Sequence, residues 1–147
     1  MDAIVLRPGE GEALEVGPAR TLIKATAQDT GGRFTLSETT LPPGSPSPPL
    51  HTHERIQDNF YVLEGTLTLR LGDDTVKAPA GTFASLPPGV PHTFSNPSDA
   101  PVRFLNLNAP GGFEAYLRDL AAAISADEPP DAAAMANMFA KHDVHPV

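Results

Sequence analysis

The sequence predicts an all-β fold, a barrel or a sandwich of short strands, followed by one or two helices. Apolar and polar residues alternate over short stretches, as in Thr66–Leu71, where every second residue is leucine. Seventeen prolines and twelve glycines separate these stretches. A chain interrupted this often favours many short strands joined by turns.

The expected strands run from residue 3 to residue 108. Pro42–Pro49 cannot continue a strand, because proline has no N–H to donate to a ladder. Two strands bend apart at Gly65, and Gly72-Asp73-Asp74 predicts a hairpin turn. The expected strands in chain order are Ala3–Arg7, Arg20–Gln28, Arg33–Leu41, Phe60–Leu63, Thr66–Leu71, Thr75–Ala78, Thr82–Leu86, His92–Ser95 and Val102–Asn108.

Two helices are expected after the last strand. The first spans about Phe113–Ser125, and its apolar stripe is expected to be a packing surface. The stripe contains Phe113, Tyr116, Leu117, Leu120 and Ile124. Asp131 is the expected N-cap of a second helix that ends near Lys141. Its buried side is expected to contain Met135, Met138 and Phe139.

No linker divides the chain, so one domain over residues 1–147 is expected, with a barrel over about 1–109 and a helical extension over about 112–142. The net charge of −8 excludes nucleic-acid binding by general electrostatics. Because there is no cysteine, disulfides and thiolate ligands are excluded. No stretch approaches the roughly 18 apolar residues of a membrane helix. The apolar run Ala3–Leu6 is too short for a signal peptide, so a cytoplasmic location without a membrane partner is expected.

Three of the five histidines lie in two short segments that together predict a metal site. His51 and His53 are two residues apart, so on an extended strand their side chains point to the same face. His92 joins them only if the chain folds back on itself. Imidazoles that converge with a carboxylate, here Asp58, suit a divalent first-row metal.

These segments resemble the two motifs of the cupin superfamily, the small β-barrels also called RmlC-like. The first motif is matched by Gly44, His51, His53, Asp58 and Gly65, with a gap before His51 that is one residue longer than the usual five. The second is matched without gap or substitution by Gly81, Pro87, Gly89, His92 and Asn96. The resemblance covers roughly residues 34–108 and implies a double-stranded β-helix, or jelly-roll, barrel.

The resemblance implies that His51, His53, Asp58 and His92 bind one divalent transition metal, Fe, Mn, Ni, Zn or Cu. An open coordination position would remain for water or substrate. The family usually has Glu where this chain has Asp58, which is one methylene shorter. Asp58 could therefore ligate directly, act through water, or lie outside the shell. It is also the candidate catalytic base, provided that burial raises its pKa.

The chain resembles the quercetin-dioxygenase-like group of cupins, which implies a metal-dependent oxidoreductase acting on a small organic substrate. Two alternatives remain. One is a metal- or ligand-binding module without turnover; the other is a cupin isomerase or epimerase, although the epimerases favour basic residues that this acidic chain lacks. The resemblance also implies a homodimer joined through sheet edges, for which Ala3–Leu6 is the candidate strand.

Residues outside the metal-ligand set are expected to be structural. The strand phenylalanines are expected mostly in the core, with one or two lining an apolar pocket above the metal; they are Phe60, Phe83, Phe94 and Phe104. Asn96 is expected to hydrogen-bond its own turn. Glu54 is expected on the face opposite the histidines. His142 and His145 are expected in a solvated tail.

Overall fold

The computed structural model describes residues 1–147 and arranges eleven strands in two antiparallel sheets. The strands are β1 Glu12–Val16, β2 Ala19–Ala25, β3 Thr35–Leu41, β4 His51–Thr52, β5 Gln57–Glu64, β6 Thr66–Leu71, β7 Asp74–Pro79, β8 Phe83–Leu86, β9 His92–Ser95, β10 Val102–Ala109 and β11 His145–Pro146. The helices are α1 Ala27–Thr30, α2 Phe113–Ser125 and α3 Ala132–Lys141. None of the three helices combines the length and the apolar composition that crossing a membrane requires.

The two sheets face each other and enclose the apolar core. One sheet has the order β1-β2-β3-β10-β5-β8, and the other has the order β11-β4-β9-β6-β7. Both contribute to a cluster of nine buried residues, Leu41, Phe60, Val62, Leu67, Leu69, Ala78, Leu86, Val102 and Phe104. The fold is therefore a jelly-roll β-sandwich with C-terminal helices, as the sequence predicts, but the sheets remain separate and no closed barrel forms.

The turns follow the glycines that the sequence marks. β6 ends at Leu71 and β7 begins at Asp74, so the predicted hairpin turn is confirmed. Gly65, between β5 and β6, has a φ of 74°. A Cβ at this position would collide with the carbonyl oxygen of Pro101. Only glycine tolerates both the positive φ and the close approach of the Pro101 carbonyl. Glycine is therefore required where the chain passes from β5 in one sheet to β6 in the other.

The N-terminal strand prediction is wrong. Ala3–Arg7 forms no strand, and the first strand is instead Glu12–Val16. The reason is the availability of a partner. The turn at Gly17, with a φ of 59°, folds 12–16 directly against β2, whereas residues 3–7 pair with no strand. β2 ends at Ala25 because Thr26 caps α1 instead.

The predicted helices are confirmed, whereas the prediction of a solvated tail is wrong. Asp131 caps α3, and its carboxylate accepts the Ala134 N–H at 2.8 Å. The half-buried residues of α3 are Met135, Met138 and Phe139, as predicted. After α3 the chain packs onto the sandwich. His142 Nε2 lies 2.7 Å from Asp119 Oδ2 on α2, and His145 pairs with β4 as part of β11.

The predicted positions of the strand phenylalanines are confirmed with one exception. Phe60 and Phe104 are buried, and Phe94 packs against the core partly buried. Phe83 is 63% exposed, because it lies on the outer face of β8 at the edge of its sheet. Tyr61 is exposed beside the buried Phe60, as the alternation of side chains along β5 requires.

Candidate metal centre

The fold brings the three motif histidines into contact. β4 supplies His51, the segment directly after β4 supplies His53, and β9 begins with His92, which is paired directly with His51. The ring centroids are 4.6 to 5.1 Å apart. One ring nitrogen from each residue lies within 4.8 Å of the others. The predicted fold-back of the second segment onto the first is therefore present.

Backbone carbonyls fix the orientation of all three imidazoles. A carbonyl oxygen can only accept a hydrogen bond, so each Nδ1 must carry the proton. In the neutral tautomer each Nε2 then has a free lone pair, the form in which histidine ligates a metal. The bonds run from His51 Nδ1 to Pro49 at 2.8 Å, from His53 Nδ1 to Asp143 at 2.7 Å and from His92 Nδ1 to Val90 at 2.9 Å.

Asp58, on β5 of the opposite sheet, joins the cluster. It is 5% exposed. Its Oδ2 lies 2.9 Å from the Nε2 of His92 and 3.5 Å from the Nε2 of His53. Its Oδ1 accepts hydrogen bonds from Asn106 at 2.6 Å and Asn108 at 2.8 Å. The shorter aspartate arm thus reaches two of the three histidines, and one carboxylate oxygen remains directed at them.

The donor atoms of this cluster fit a cation. The Nδ1 atoms of His53 and His92 already carry protons, so each neutral ring presents a lone pair towards the Asp58 carboxylate. Two such acceptors in contact repel unless a proton or a metal ion lies between them. The Nε2 of His53 is also fully buried and has no hydrogen-bond partner, which is rare in proteins without a reason. Imidazole nitrogens with one carboxylate suit divalent first-row metals.

The charge states of Asp58 and His51 suit metal ligation, whereas a proton competes with a metal at His53. Burial alone would lower the pKa of His53, but Asp58 and the Asp143 carbonyl outweigh burial and raise it. Burial alone would raise the pKa of Asp58, but the neighbouring imidazoles of His53 and His92 and the side-chain amide of Asn106 outweigh it and lower this pKa to about 2. The expectation of a raised pKa is therefore wrong, and Asp58 is a better ligand than base. Burial lowers the pKa of His51 to about 4, so this ring is neutral at pH 7.

An apolar cavity of about 110 Å³ adjoins the cluster. His51, Asp58 and Asn106 contribute to its polar lining together with the hydroxyl residues Thr21, Ser37 and Thr39, and no lysine or arginine lines it. Aromatic and aliphatic side chains from both sheets and from α2 form the rest, including Phe60, Phe94, Phe104, Phe113, Tyr116, Leu117 and Leu120. The apolar stripe of α2 therefore closes the cavity as well as packing.

Two asparagines and one aspartate next to the cluster were missed by the sequence reasoning. Asn106 and Asn108 share the inward face of β10 with Phe104, so polar residues at core positions were an available signal. Asp143 gave no signal, because 90 residues separate it from His53.

Asn96 is completely buried and hydrogen-bonds its own turn, as expected. Glu54 is exposed and outside the histidine cluster.

A jelly-roll sandwich in which a His-x-His pair meets a third histidine is typical of the cupins, a class of small β proteins. The family model for the cupin domain matches residues 37–108. The chain belongs to the cupin superfamily, as the motifs predicted.

Known proteins with related sequences or folds carry several activities. The chain is 29% identical over 116 residues to quercetin 2,3-dioxygenase of Bacillus subtilis, which covers 79% of this chain and 34% of that enzyme. This chain thus spans about a third of that relative. The polyketide cyclase RemF of Streptomyces resistomycificus is 29% identical, with a TM-score of 0.64 over 74% of this chain and 80% of that one. An RmlC-like cupin of Shewanella frigidimarina shares the fold, with a TM-score of 0.65, 15% identity, and 77% and 96% of the two chains covered.

Proposed function

We propose that this protein is a metal-dependent oxidoreductase, similar to the dioxygenases, that acts on a small organic substrate. One observation carries the proposal. Three imidazoles, each oriented by a carbonyl, and an ionised carboxylate meet beside a cavity lined by aromatic side chains. Such a combination of a metal-binding cluster with an apolar pocket is typical of a small-molecule site.

The ligands in this proposal are the Nε2 atoms of His51, His53 and His92 and the Oδ2 atom of Asp58. A metal ion bound there would act as a Lewis acid and as a template for a substrate oxygen. The rest of the chain orients these groups. Asn106 and Asn108 hold Oδ1 of Asp58 so that Oδ2 faces the histidines. Phe113, Tyr116, Leu117 and Leu120 of α2 cover one side of the cavity with apolar surface.

The lining of the cavity indicates the class of substrate. Because no lysine or arginine lines it, a phosphate or diphosphate group would have no counter-ion. An apolar or aromatic molecule with one metal-binding oxygen fits better, which disfavours the epimerase alternative. Two of the relatives at 29% identity are named for quercetin and for a polyketide. That agreement supports an uncharged organic substrate.

The size of the cavity favours a second candidate, a metal-binding module without turnover. Its volume of about 110 Å³ is below the range of about 300–1,000 Å³ usual for small-molecule sites. Catalysis therefore requires either a small substrate or an outward movement of α2. A module that only binds a metal requires neither.

Metal analysis and oxygen consumption distinguish the two candidates. The purified protein is assayed for metal by elemental analysis, and O2 uptake is then followed with flavonols, diketones and catechols. We expect about one metal per chain and uptake with at least one substrate, whereas metal without uptake supports the module. His51→Ala and His92→Ala should abolish metal loading. His142→Ala changes a histidine outside the cluster and should retain it. Full loading of both cluster variants would contradict the site.

A further inference from the structure

We propose that the C-terminal segment Asp143–Val147 positions His51 and His53 for the metal, which makes this tail part of the metal centre. The inference rests on the proposed metal-binding function. It concerns residues outside both cupin motifs, and outside the residues 37–108 that the family model matches. Three sets of contacts carry it: to the His53 ring, to the backbone after His53, and to the strand that contains His51.

The first two sets of contacts belong to one residue. The backbone carbonyl of Asp143 accepts the Nδ1–H of His53 at 2.7 Å. Its carboxylate accepts the backbone N–H of Glu54 at 2.8 Å and of Arg55 at 2.9 Å. Asp143 is only 4% exposed, so water does not compete strongly for these bonds. One residue thus fixes both the imidazole ring and the direction of the chain that leaves it.

The end of α3 determines where Asp143 lies. Asp143 is the one residue other than glycine with a positive φ, at 61°, a conformation that aspartate tolerates better than most residues. Its N–H bonds to Ala140 at 3.3 Å, and the N–H of Val144 bonds back to Phe139 at 2.9 Å, as at many helix ends. Val144 is buried, with 4% exposed. The helix terminus therefore aims the Asp143 carbonyl at His53.

The third set of contacts supports the strand of His51. β11 pairs with β4, placing His145 opposite Thr52 and Pro146 opposite His51. The N–H of Val147 donates to the carbonyl of Leu50 at 2.9 Å. On its other side β4 pairs with β9 only at His51. Both residues of this short strand thus pair with the tail, whereas only one of them pairs with β9.

The side chains of Glu54, Asp143 and His145 also cluster, but they do not amount to a second metal site. Both carboxylate oxygens of Asp143 already accept backbone N–H groups. His145 Nε2 lies 2.9 Å from one of them. These hydrogen bonds account for the cluster without a cation. Its role is to hold the tail against the turn after His53.

The test compares the binding of Co²⁺ by the whole protein and by tail variants. Affinity is measured by titration, coordination geometry by the visible absorption of bound Co²⁺, and stability by the thermal midpoint without metal. Deletion of residues 144–147 and Asp143→Ala should each lower the affinity by about 10- to 100-fold and shift the absorption bands. Asp143→Asn keeps one acceptor and tolerates the positive φ, so it should restore part of the affinity.

Asp131→Ala is the matched control, because it removes the cap of the same helix without contacting the histidine cluster. It should lower the thermal midpoint and leave the affinity and the spectrum unchanged. Wild-type affinity and spectrum in Asp143→Ala would overturn the inference, even if the deletion variant does not fold. Equal losses in Asp131→Ala and Asp143→Ala would also overturn it, because they indicate general destabilisation. Failure of the wild type to bind Co²⁺ would instead refute the proposed function.

Discussion

Two buried carboxylates of this protein are satisfied in different ways. Glu114, at the start of α2, accepts the Ala27 N–H at 2.9 Å, the Thr35 hydroxyl at 2.5 Å and the Gly112 N–H at 3.1 Å. Both of its oxygens therefore have protein donors. Asp58 has amide donors on Oδ1 alone, and its Oδ2 faces two imidazole nitrogens, which can donate only when protonated.

This difference separates a structural carboxylate from a candidate ligand. The hydrogen bonds of Glu114 join α2 to α1 and β3, and they satisfy both carboxylate oxygens without a cation. At Asp58 the fold supplies donors for one oxygen and directs the other at groups that carry no hydrogen in their neutral, ligating form. A buried charge that is half satisfied costs stability unless a cation completes it. Asp58, unlike Glu114, therefore has the surroundings expected of a cation ligand.

The largest expected effect comes from exchanging each carboxylate for its amide. Asp58→Asn should lower metal affinity by at least about tenfold, or about 1.4 kcal/mol, because the amide is a poor ligand. Its NH2 can donate to the lone pair of His92, so the metal-free protein should not lose stability. Isothermal titration with Zn²⁺ and urea unfolding measure the two quantities.

Glu114→Gln is the matched control for that exchange. It should leave the metal affinity at the wild-type value and lower the free energy of unfolding by about 1–3 kcal/mol, because the Gln NH2 group faces donors. Unchanged metal affinity in Asp58→Asn, or a loss in Glu114→Gln equal to that in Asp58→Asn, would contradict the distinction between the two carboxylates.

A second, smaller effect is the pH dependence of stability from Glu114. Burial alone would raise its pKa, but hydrogen bonds from Thr35, Ala27 and Gly112 outweigh burial and lower it. The ionised form is thus favoured in the folded state, so this stabilisation is present above the ordinary pKa of 4.5 and is lost as the pH falls through the lower folded value. Urea unfolding between pH 6 and pH 3 should show a shallower decline in Glu114→Gln than in wild type. Identical slopes would refute this role.

The smallest expected effect concerns an exposed carboxylate. Glu12 on β1 pairs with Arg118 on α2 at 2.7 Å, and both side chains are more than 40% exposed. Water and salt screen such a pair, so Arg118→Ala should cost less than about 1 kcal/mol. The loss of unfolding free energy caused by this substitution should be smaller still in 1 M NaCl. Urea unfolding at low and high salt measures both values. A loss larger than that of Glu114→Gln would reverse the ranking of buried over exposed carboxylates.

Local patterns predicted those elements whose own residues carry a clear periodicity. Thr66–Leu71, His92–Ser95 and Phe113–Ser125 have the predicted bounds, because alternation and helical periodicity act over a few residues. Ala3–Arg7 failed because a strand also needs a neighbour, which composition does not reveal. The exposure of Phe83 had the same origin, since its place at a sheet edge is set by strand order. The predicted homodimer remains a prediction.

The sequence by itself determined the fold class and which histidines meet, because strand periodicity, turn glycines and motif spacing are properties of short segments. Only the tertiary structure decided how those histidines are held. Asn106 and Asn108, both on β10, hydrogen-bond Asp58, and Asp143 in the tail hydrogen-bonds His53, across 48 to 90 residues of chain. Hydrogen bonds of that kind depend on positions in space, which no local pattern records.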